Sequence, residues 1–159
     1  MKKERKLLIK LKEVLQMDDI LINKNQTVKR CLERINEEYQ GDPENLKNYT
    51  KQDSIILNIQ RLAEAAIDIA MHVVAELDLG VPQNSREAFQ FLADNNLIGK
   101  KLAETLKAMV GFRNIAVHEY QKLNLKIVEA IIENEITEVK IFSQQIIKKM
   151  SEKSKQHRS

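Results

Sequence analysis

Apolar residues recur at helical spacing along most of the 159-residue chain. In the clearest run, residues 50–79, they cover most of a helix surface, which predicts the central helix of a bundle. Partial apolar stripes predict the remaining helices, one of them short, over residues 4–16, 18–39, 85–95, 99–118 and 124–150. The pattern therefore indicates a chain built from helices.

Turn-forming and capping residues separate these stripes. Glycine and proline end the first main helix at residues 41–43 and the central helix at residues 80–82, because proline does not continue a helix and glycine readily closes one. Thr50, with Asp53 three residues later, resembles a capping box at the start of the central helix. Ser85 is the expected N-cap of the short helix.

Composition supports a helical fold. Glycine (4 residues) and proline (2) are too scarce for the turns of a sheet protein, and a chain of this length can bury a real core. We predict an all-α antiparallel bundle of four long helices plus a short one, with an N-terminal helical extension. The expected divisions are residues 1–16 as the extension, 17–150 as the bundle domain and 151–159 as a basic, disordered tail. The acidic pair after Met17, which suits a helix start, sets the first boundary.

The charge is unevenly distributed along the chain. The net charge of +3 and the isoelectric point near 8.9 suggest nucleic acid binding at first sight. Residues 1–16 and 148–159 each carry net +4, however, so the body between them carries net −5. Any anion-binding surface on that body must be local. With a single cysteine, Cys31, and no apolar run long enough for a membrane span, we expect a cytoplasmic protein.

One segment, residues 113–120, concentrates polar chemistry within the apolar pattern: it holds Arg113, Asn114, His118 and Tyr120. The chain has only three histidines and three tyrosines, so composition alone does not produce the cluster. On a regular helix Arg113 and His118 lie about 140° apart. Either the helix tightens or ends near His118, or a second subunit completes the site with its own copy.

The chemistry of the segment allows two interpretations. A histidine can take a proton from a ribose 2′-hydroxyl or give one to a leaving 5′-oxygen, while an arginine holds the phosphate. His118 and Arg113 would together suffice for RNA transesterification without a metal. In the structural alternative, Arg113 pairs with a carboxylate, His118 hydrogen-bonds a helix end and Tyr120 packs its ring. Spacing alone favours that alternative.

A family resemblance changes this balance. Arg113, Asn114, His118 and Tyr120 form the pattern Arg-Asn-x-x-x-His-x-Tyr, which resembles the R-x4-H-x-Y signature of the HepT-like toxins of the HEPN superfamily. The likeness covers about residues 17–147 and is far more specific than the motif alone. It includes four further segments, residues 65–72, 79–82, 85–89 and 109–112.

The resemblance implies a helical homodimer whose paired motifs meet in a composite cleft and cleave RNA without a metal or other cofactor. Arg113 and His118 would be the catalytic pair, with Asn114 as a supporting group. The implied partner is a minimal nucleotidyltransferase (MNT) antitoxin of a type VII toxin–antitoxin system. It would transfer AMP to Tyr120 within a hetero-oligomer, and the added bulk and charge would obstruct an RNA phosphate. The alternative is a non-catalytic helical subunit that presents substrate or nucleotide to the nucleotidyltransferase.

A polar stripe on the central helix has a separate set of interpretations. Glu64, Asp68 and His72 are spaced by four residues, with Arg61 one turn before them. Such side chains can bind a divalent metal. A stripe satisfied by Arg61 or by a neighbouring helix is favoured, since no thiolate or second histidine completes the set. A third interpretation is that the stripe borders the cleft and orients the motif.

Overall fold

The structure of the chain is a computed structural model that describes the backbone of residues 2–158 and the side chains of residues 2–9 and 19–153. Its α-helices are α1 (Lys2–Tyr39), α2 (Tyr49–Glu76), α3 (Ser85–Asp94), α4 (Lys100–His118), α5 (Leu125–Asn134) and α6 (Ile136–Arg158). Two 3-10 helices, Pro43–Lys47 and Tyr120–Lys122, lie in the connections. The described residues contain no strand, so the all-α prediction is confirmed.

The central position of α2 follows from its apolar surface. It packs against α1, α3, α4 and α6, and buried residues line it from Ile55 to Val74. Lys24 Nζ on α1 lies 2.9 Å from Asp68 Oδ2 near the far end of α2, which makes the two helices antiparallel. None of the helices in residues 2–158 combines the length and the hydropathy of a membrane-spanning segment.

The core runs the length of the bundle, and aromatic side chains join its helices. Phe89 of α3 and Phe142 of α6 are almost fully buried, and their rings meet edge to face with centroids 5.7 Å apart. At the end of α1, the buried Tyr39 hydroxyl donates a hydrogen bond to Glu133 Oε1 of α5 at 2.5 Å. These contacts tie the carboxyl-terminal helices α5 and α6 to α1 and α3.

Helix α1 has no break where the predicted extension meets the predicted domain. Its backbone is helical through residues 17–19, so the acidic pair lies inside a helix and not at its positive end. Helix α6 likewise continues to Arg158, through most of the segment predicted as a basic, disordered tail. The division into extension, domain and tail stays a prediction.

The predicted helix over residues 124–150 is two helices in the structure. A break at Glu135, with φ −115° and ψ −31°, separates α5 from α6. The apolar stripe continues across it through Ile132 and Ile136, both buried. Periodicity therefore could not reveal the break, because each side keeps the same face toward the core.

Asparagines cap two helices at which other residues were predicted. Asn48, and not Thr50 with Asp53, caps α2, and its side chain accepts a first-turn backbone N–H at 3.0 Å. Asn84 caps α3 in the same way at 3.0 Å, which places Ser85 inside the helix. Asparagine is as good an N-cap as serine or aspartate, so the sequence alone could not decide which of the neighbouring polar residues begins each helix. The correction leaves the Asp53 carboxylate available to a different partner.

Helix α2 also ends before the predicted position near Leu79. It ends at Glu76, and Asp78 takes the left-handed conformation, with φ +53°. The Asp78 N–H bonds to the Ala75 carbonyl and the Leu79 N–H to the Val74 carbonyl. This pair of bonds forms a Schellman motif, which closes the helix before Gly80 is reached.

Replacing Phe142 with alanine should lower the free energy of unfolding by about 3 to 5 kcal/mol, because it leaves a cavity opposite Phe89. The neighbouring Ile141 is 42% exposed on the same helix, so Ile141→Ala is the matched control and should change stability by about 0.5 kcal/mol. Urea unfolding followed by circular dichroism measures both. Equal losses in the two variants would contradict the packing described.

Candidate active site

The motif occupies the last turns of α4 and the 3-10 helix that follows. Helix α4 ends at His118, and Glu119 leaves the helical region with φ −141° and ψ 47°. The Glu119 N–H still bonds to the Ile115 carbonyl at 2.8 Å, a normal α-helical bond. The helix therefore ends at His118, as one of the sequence-based explanations required, but its last turn is not wound more tightly. Arg113 and His118 remain separated by about 7.5 Å along the axis and about 140° around it.

Arg113 is half-buried and lacks a partner. Its Nε atom is buried without a hydrogen bond, and none of the ion pairs among the described side chains includes this residue. A buried donor left unpaired costs free energy, so native proteins keep few of them. The predicted structural role, pairing with a carboxylate, is absent from the described part of the chain. A guanidinium in this state is suited to an external anion.

His118 and Asn114 are exposed at the end of the same helix. Four residues separate them, so they share one helix face. Neither side chain takes part in any hydrogen bond within residues 19–153, and no bond to a helix end holds the imidazole. Both side chains are accessible to a ligand or to another protein.

Tyr120 is held by a residue that the sequence did not indicate. It is 40% exposed in the 3-10 helix Tyr120–Lys122, and its hydroxyl donates a hydrogen bond to Asp53 Oδ1 in the first turns of α2. Asp53 had been explained as a capping residue, and the two positions are 67 residues apart. No local pattern could have paired them.

The hydrogen bond to Asp53 affects the acidity of the phenol. Desolvation by partial burial, the hydrogen bond and the charge of that carboxylate raise the pKa of Tyr120 from 10.0 to about 12. The phenol therefore keeps its proton at neutral pH, and the proton points at a carboxylate. A hydroxyl beside a proton acceptor is the arrangement that activates a nucleophile.

The polar stripe of α2 lies mostly away from the motif. Asp68 pairs with Lys24 of α1, and Glu64 accepts a hydrogen bond from Gln60 at 3.2 Å. His72 lies nineteen residues after Asp53, about 28 Å along the helix from the level of Tyr120, and its Nε2 is buried without a partner. In the described part of the chain, no three His, Cys, Asp or Glu side chains come close enough to share a metal ion. A neighbouring helix therefore satisfies Asp68, as the favoured interpretation predicted.

An apolar groove lies beside the motif, between α4 and α5. Its cavity of about 330 Å³ is lined mainly by apolar side chains, among them Phe112, Ile115 and Ile127. Ile115 is 41% exposed and Ile127 54% exposed. The groove face of the chain has the character of a contact surface. Val117 is also 47% exposed, but it lies two residues after Ile115 and therefore about 200° around the helix from it.

The model of the ribonuclease HepT-like family matches residues 28–146. The chain belongs to this family. A HepT-like relative, the mRNA nuclease HepT of Shewanella oneidensis, is 49% identical over 126 residues, which cover 79% of this chain and 95% of the relative. The HEPN resemblance inferred from the motif is thereby confirmed.

Two solved structures match this HepT-like chain closely. A crystal structure of a toxin–antitoxin with AMP-PNP gives a TM-score of 0.77 at 50% identity, covering 80% of this chain and 97% of that one. A tri-AMPylated Shewanella oneidensis HEPN toxin in complex with an MNT antitoxin gives a TM-score of 0.76 at 50% identity, covering 80% and 96%.

Replacing Asp53 with asparagine keeps an acceptor oxygen and removes the charge, so the pKa of Tyr120 should fall from about 12 toward 10.0. The folded-state pKa is the higher one. The hydrogen bond therefore stabilises the fold below pH 10.0, and this stabilisation disappears as the pH rises through about 12. NMR titration of 13C-labelled tyrosine measures the change. An unchanged Tyr120 curve would show that Asp53 does not hold the phenol.

Proposed function

We propose that this chain is the ribonuclease toxin of a toxin–antitoxin pair, acting as a homodimer in the cytoplasm, with Arg113 and His118 as its catalytic residues. The observation that carries the proposal is the half-buried Arg113 guanidinium without a partner, on the same terminal turns as an exposed His118. The mRNA nuclease activity named for the Shewanella oneidensis relative supports the same reaction.

The two side chains have the chemistry for RNA transesterification. The imidazole of one His118 takes the proton from a ribose 2′-hydroxyl as that oxygen attacks the phosphorus. The bond from phosphorus to the 5′-oxygen then breaks, and an imidazolium supplies the proton to the leaving oxygen. Arg113 binds the phosphate oxygens through its planar fork and stabilises the charge that builds on them. Asn114, on the His118 face, supports the phosphate or the imidazole.

The geometry of α4 favours a cleft shared by two copies of the chain. Within one chain the arginine and the histidine point in directions about 140° apart, so a second copy must supply one of them to a common phosphate. The exposed apolar side chains Ile115 and Ile127 line the groove beside the motif and give a partner copy a surface on which to pack.

Silencing follows from AMP transfer to Tyr120 by the MNT partner. The tyrosine Oη forms a bond to the α-phosphorus of ATP, the bond to pyrophosphate breaks, and Asp53 accepts the phenolic proton. The modified oxygen can no longer donate a hydrogen bond, and the new phosphodiester charge repels the Asp53 carboxylate. The nucleotide therefore turns away from α2 and occupies the space beside His118 that an RNA phosphate needs.

A mixing experiment tests the shared cleft. Arg113→Ala and His118→Ala should each lower RNA cleavage by about 10² to 10⁴-fold. Mixed after unfolding and refolding together, the two inactive variants should regain cleavage, since one cleft of the heterodimer then holds an intact arginine and an intact histidine. His118→Ala refolded alone is the control. Full activity in both single variants would show that Arg113 and His118 are not the catalytic residues, whereas no cleavage by the unaltered protein would favour the non-catalytic binding subunit.

The silencing step is tested separately. With the MNT partner and ATP, Tyr120→Phe should gain no AMP mass in intact-protein mass spectrometry and should keep cleaving RNA. Asp53→Asn should slow AMP transfer by about 100-fold or more, because asparagine cannot take the phenolic proton. Tyr49→Phe is the matched control: Tyr49 is 79% exposed and lies one turn before Asp53 on α2, so losing this neighbouring phenol should leave AMP transfer at its normal rate. AMP transfer to Tyr120→Phe at the normal rate would place the modification elsewhere.

A further inference from the structure

A pocket between α1 and α2 gathers three arginines. Arg30 and Arg34 come from adjacent turns of α1, Arg61 comes from α2, and together they line a cavity of about 410 Å³. We call this the arginine pocket. Its floor includes Cys31, which is 4% exposed, and Asn58, which is 6% exposed.

The positive charge of the arginine pocket is poorly neutralised within the chain. Among the described side chains, Arg30 and Arg61 take part in no ion pair, and Arg34 has only an exposed Glu37 at 3.9 Å. Glu33 lines the rim without pairing to any of the three. Like charges four residues apart on a helix also repel, and the body around them is net acidic. Three arginines with so little neutralisation by the chain's own carboxylates are suited to binding the anionic group of a ligand.

Arg30 and Arg61 line the same cavity as the Cys31 thiol. Burial raises the pKa of the Cys31 thiol, while the positive charges of Arg61 and Arg30 oppose that shift. Both guanidinium groups are therefore close enough to act on an atom at the floor of the pocket. Thr27 Oγ1 accepts a hydrogen bond from Arg30 at 3.4 Å, which helps to orient this guanidinium at the rim.

The position of the pocket relates it to the motif. Arg61 lies eight residues after Asp53 on α2, about 12 Å along the axis and about 80° around it from the residue that holds Tyr120. Since α4 runs antiparallel to α2, Arg113 lies at about the same level of the bundle as Arg61.

We propose that the arginine pocket is a second RNA contact, which binds backbone phosphates a few nucleotides away from the bond that is cut. The proposal rests on the proposed ribonuclease function. Arginine forks bind phosphate oxygens in pairs. Such interactions add affinity for any RNA sequence and carry no base preference.

The test uses full-length protein carrying His118→Ala, which binds RNA without cutting it. Fluorescence anisotropy with a labelled single-stranded oligonucleotide measures Kd over a range of KCl concentrations. Adding Arg30→Gln, Arg34→Gln and Arg61→Gln should weaken binding about tenfold or more at low salt. The slope of log Kd against log salt should fall by about 0.7 for each RNA phosphate that the protein no longer neutralises.

The matched control removes three exposed lysines outside the pocket: Lys29→Gln, Lys140→Gln and Lys148→Gln. It makes the same change in net charge and should leave the slope nearly unchanged. An equal effect in both triple variants would show that only the total positive charge matters and not its position in the pocket, which would overturn the proposal. Circular dichroism confirms that both variants fold.

Two further measurements identify the ligand. A dinucleotide cannot occupy the motif and the pocket at once, so the three arginines should contribute less to its affinity than to that of the longer oligonucleotide. If ATP displaces the oligonucleotide only when the arginines are present, the pocket is a nucleotide site and the RNA proposal is wrong. If RNA binding is unchanged and MNT binding disappears, the pocket binds protein instead. Because all of these measure binding, they remain interpretable even if Arg113 and His118 prove unnecessary for cleavage.

Discussion

The unbroken hydrogen-bond ladder of α4 is the constraint on which the site depends. Because the ladder continues to His118, one chain cannot bring Arg113 and His118 to the same phosphate. It does keep the arginine half-buried and the histidine at the exposed end. A rigid helix thus holds the two proposed catalytic side chains apart, and in the proposed homodimer each copy would supply the group that the other lacks. The apolar groove beside the motif has the exposed surface that such a union would cover.

The hydrogen bond between Tyr120 and Asp53 joins this helix end to the central helix of the bundle. It orders the connection after α4 through a side chain that is itself proposed as the modification site. Modification of the phenol therefore changes the local chemistry and also removes a tertiary interaction. Without that hydrogen bond, the connection after α4 is no longer held against α2. One covalent change can therefore both block the proposed cleft and release the connection beside it.

The sequence predicted the helices and the motif because both are encoded locally. Apolar periodicity located α2 and α4 within a few residues, and the motif drew attention to Arg113 and His118. Three features were missed for physical reasons. The break at Glu135 keeps the apolar face in register, asparagine caps resemble other caps, and Asp53 meets Tyr120 only after the chain has folded. The arginine pocket was missed for the same reason, since Arg34 and Arg61 come from different helices.

Charge in this fold acts at short range. The body of the chain is net acidic, so long-range attraction cannot guide an RNA phosphate to the motif, and ionic strength screens such fields within about 10 Å. Affinity for RNA must then come from direct binding by guanidinium groups that have no ion pair within the described part of the chain. Arg113 meets this requirement at the motif, and Arg30 and Arg61 meet it in the arginine pocket. Arginines without ion pairs at one level of the bundle would let the protein bind an RNA strand even though its body is net acidic.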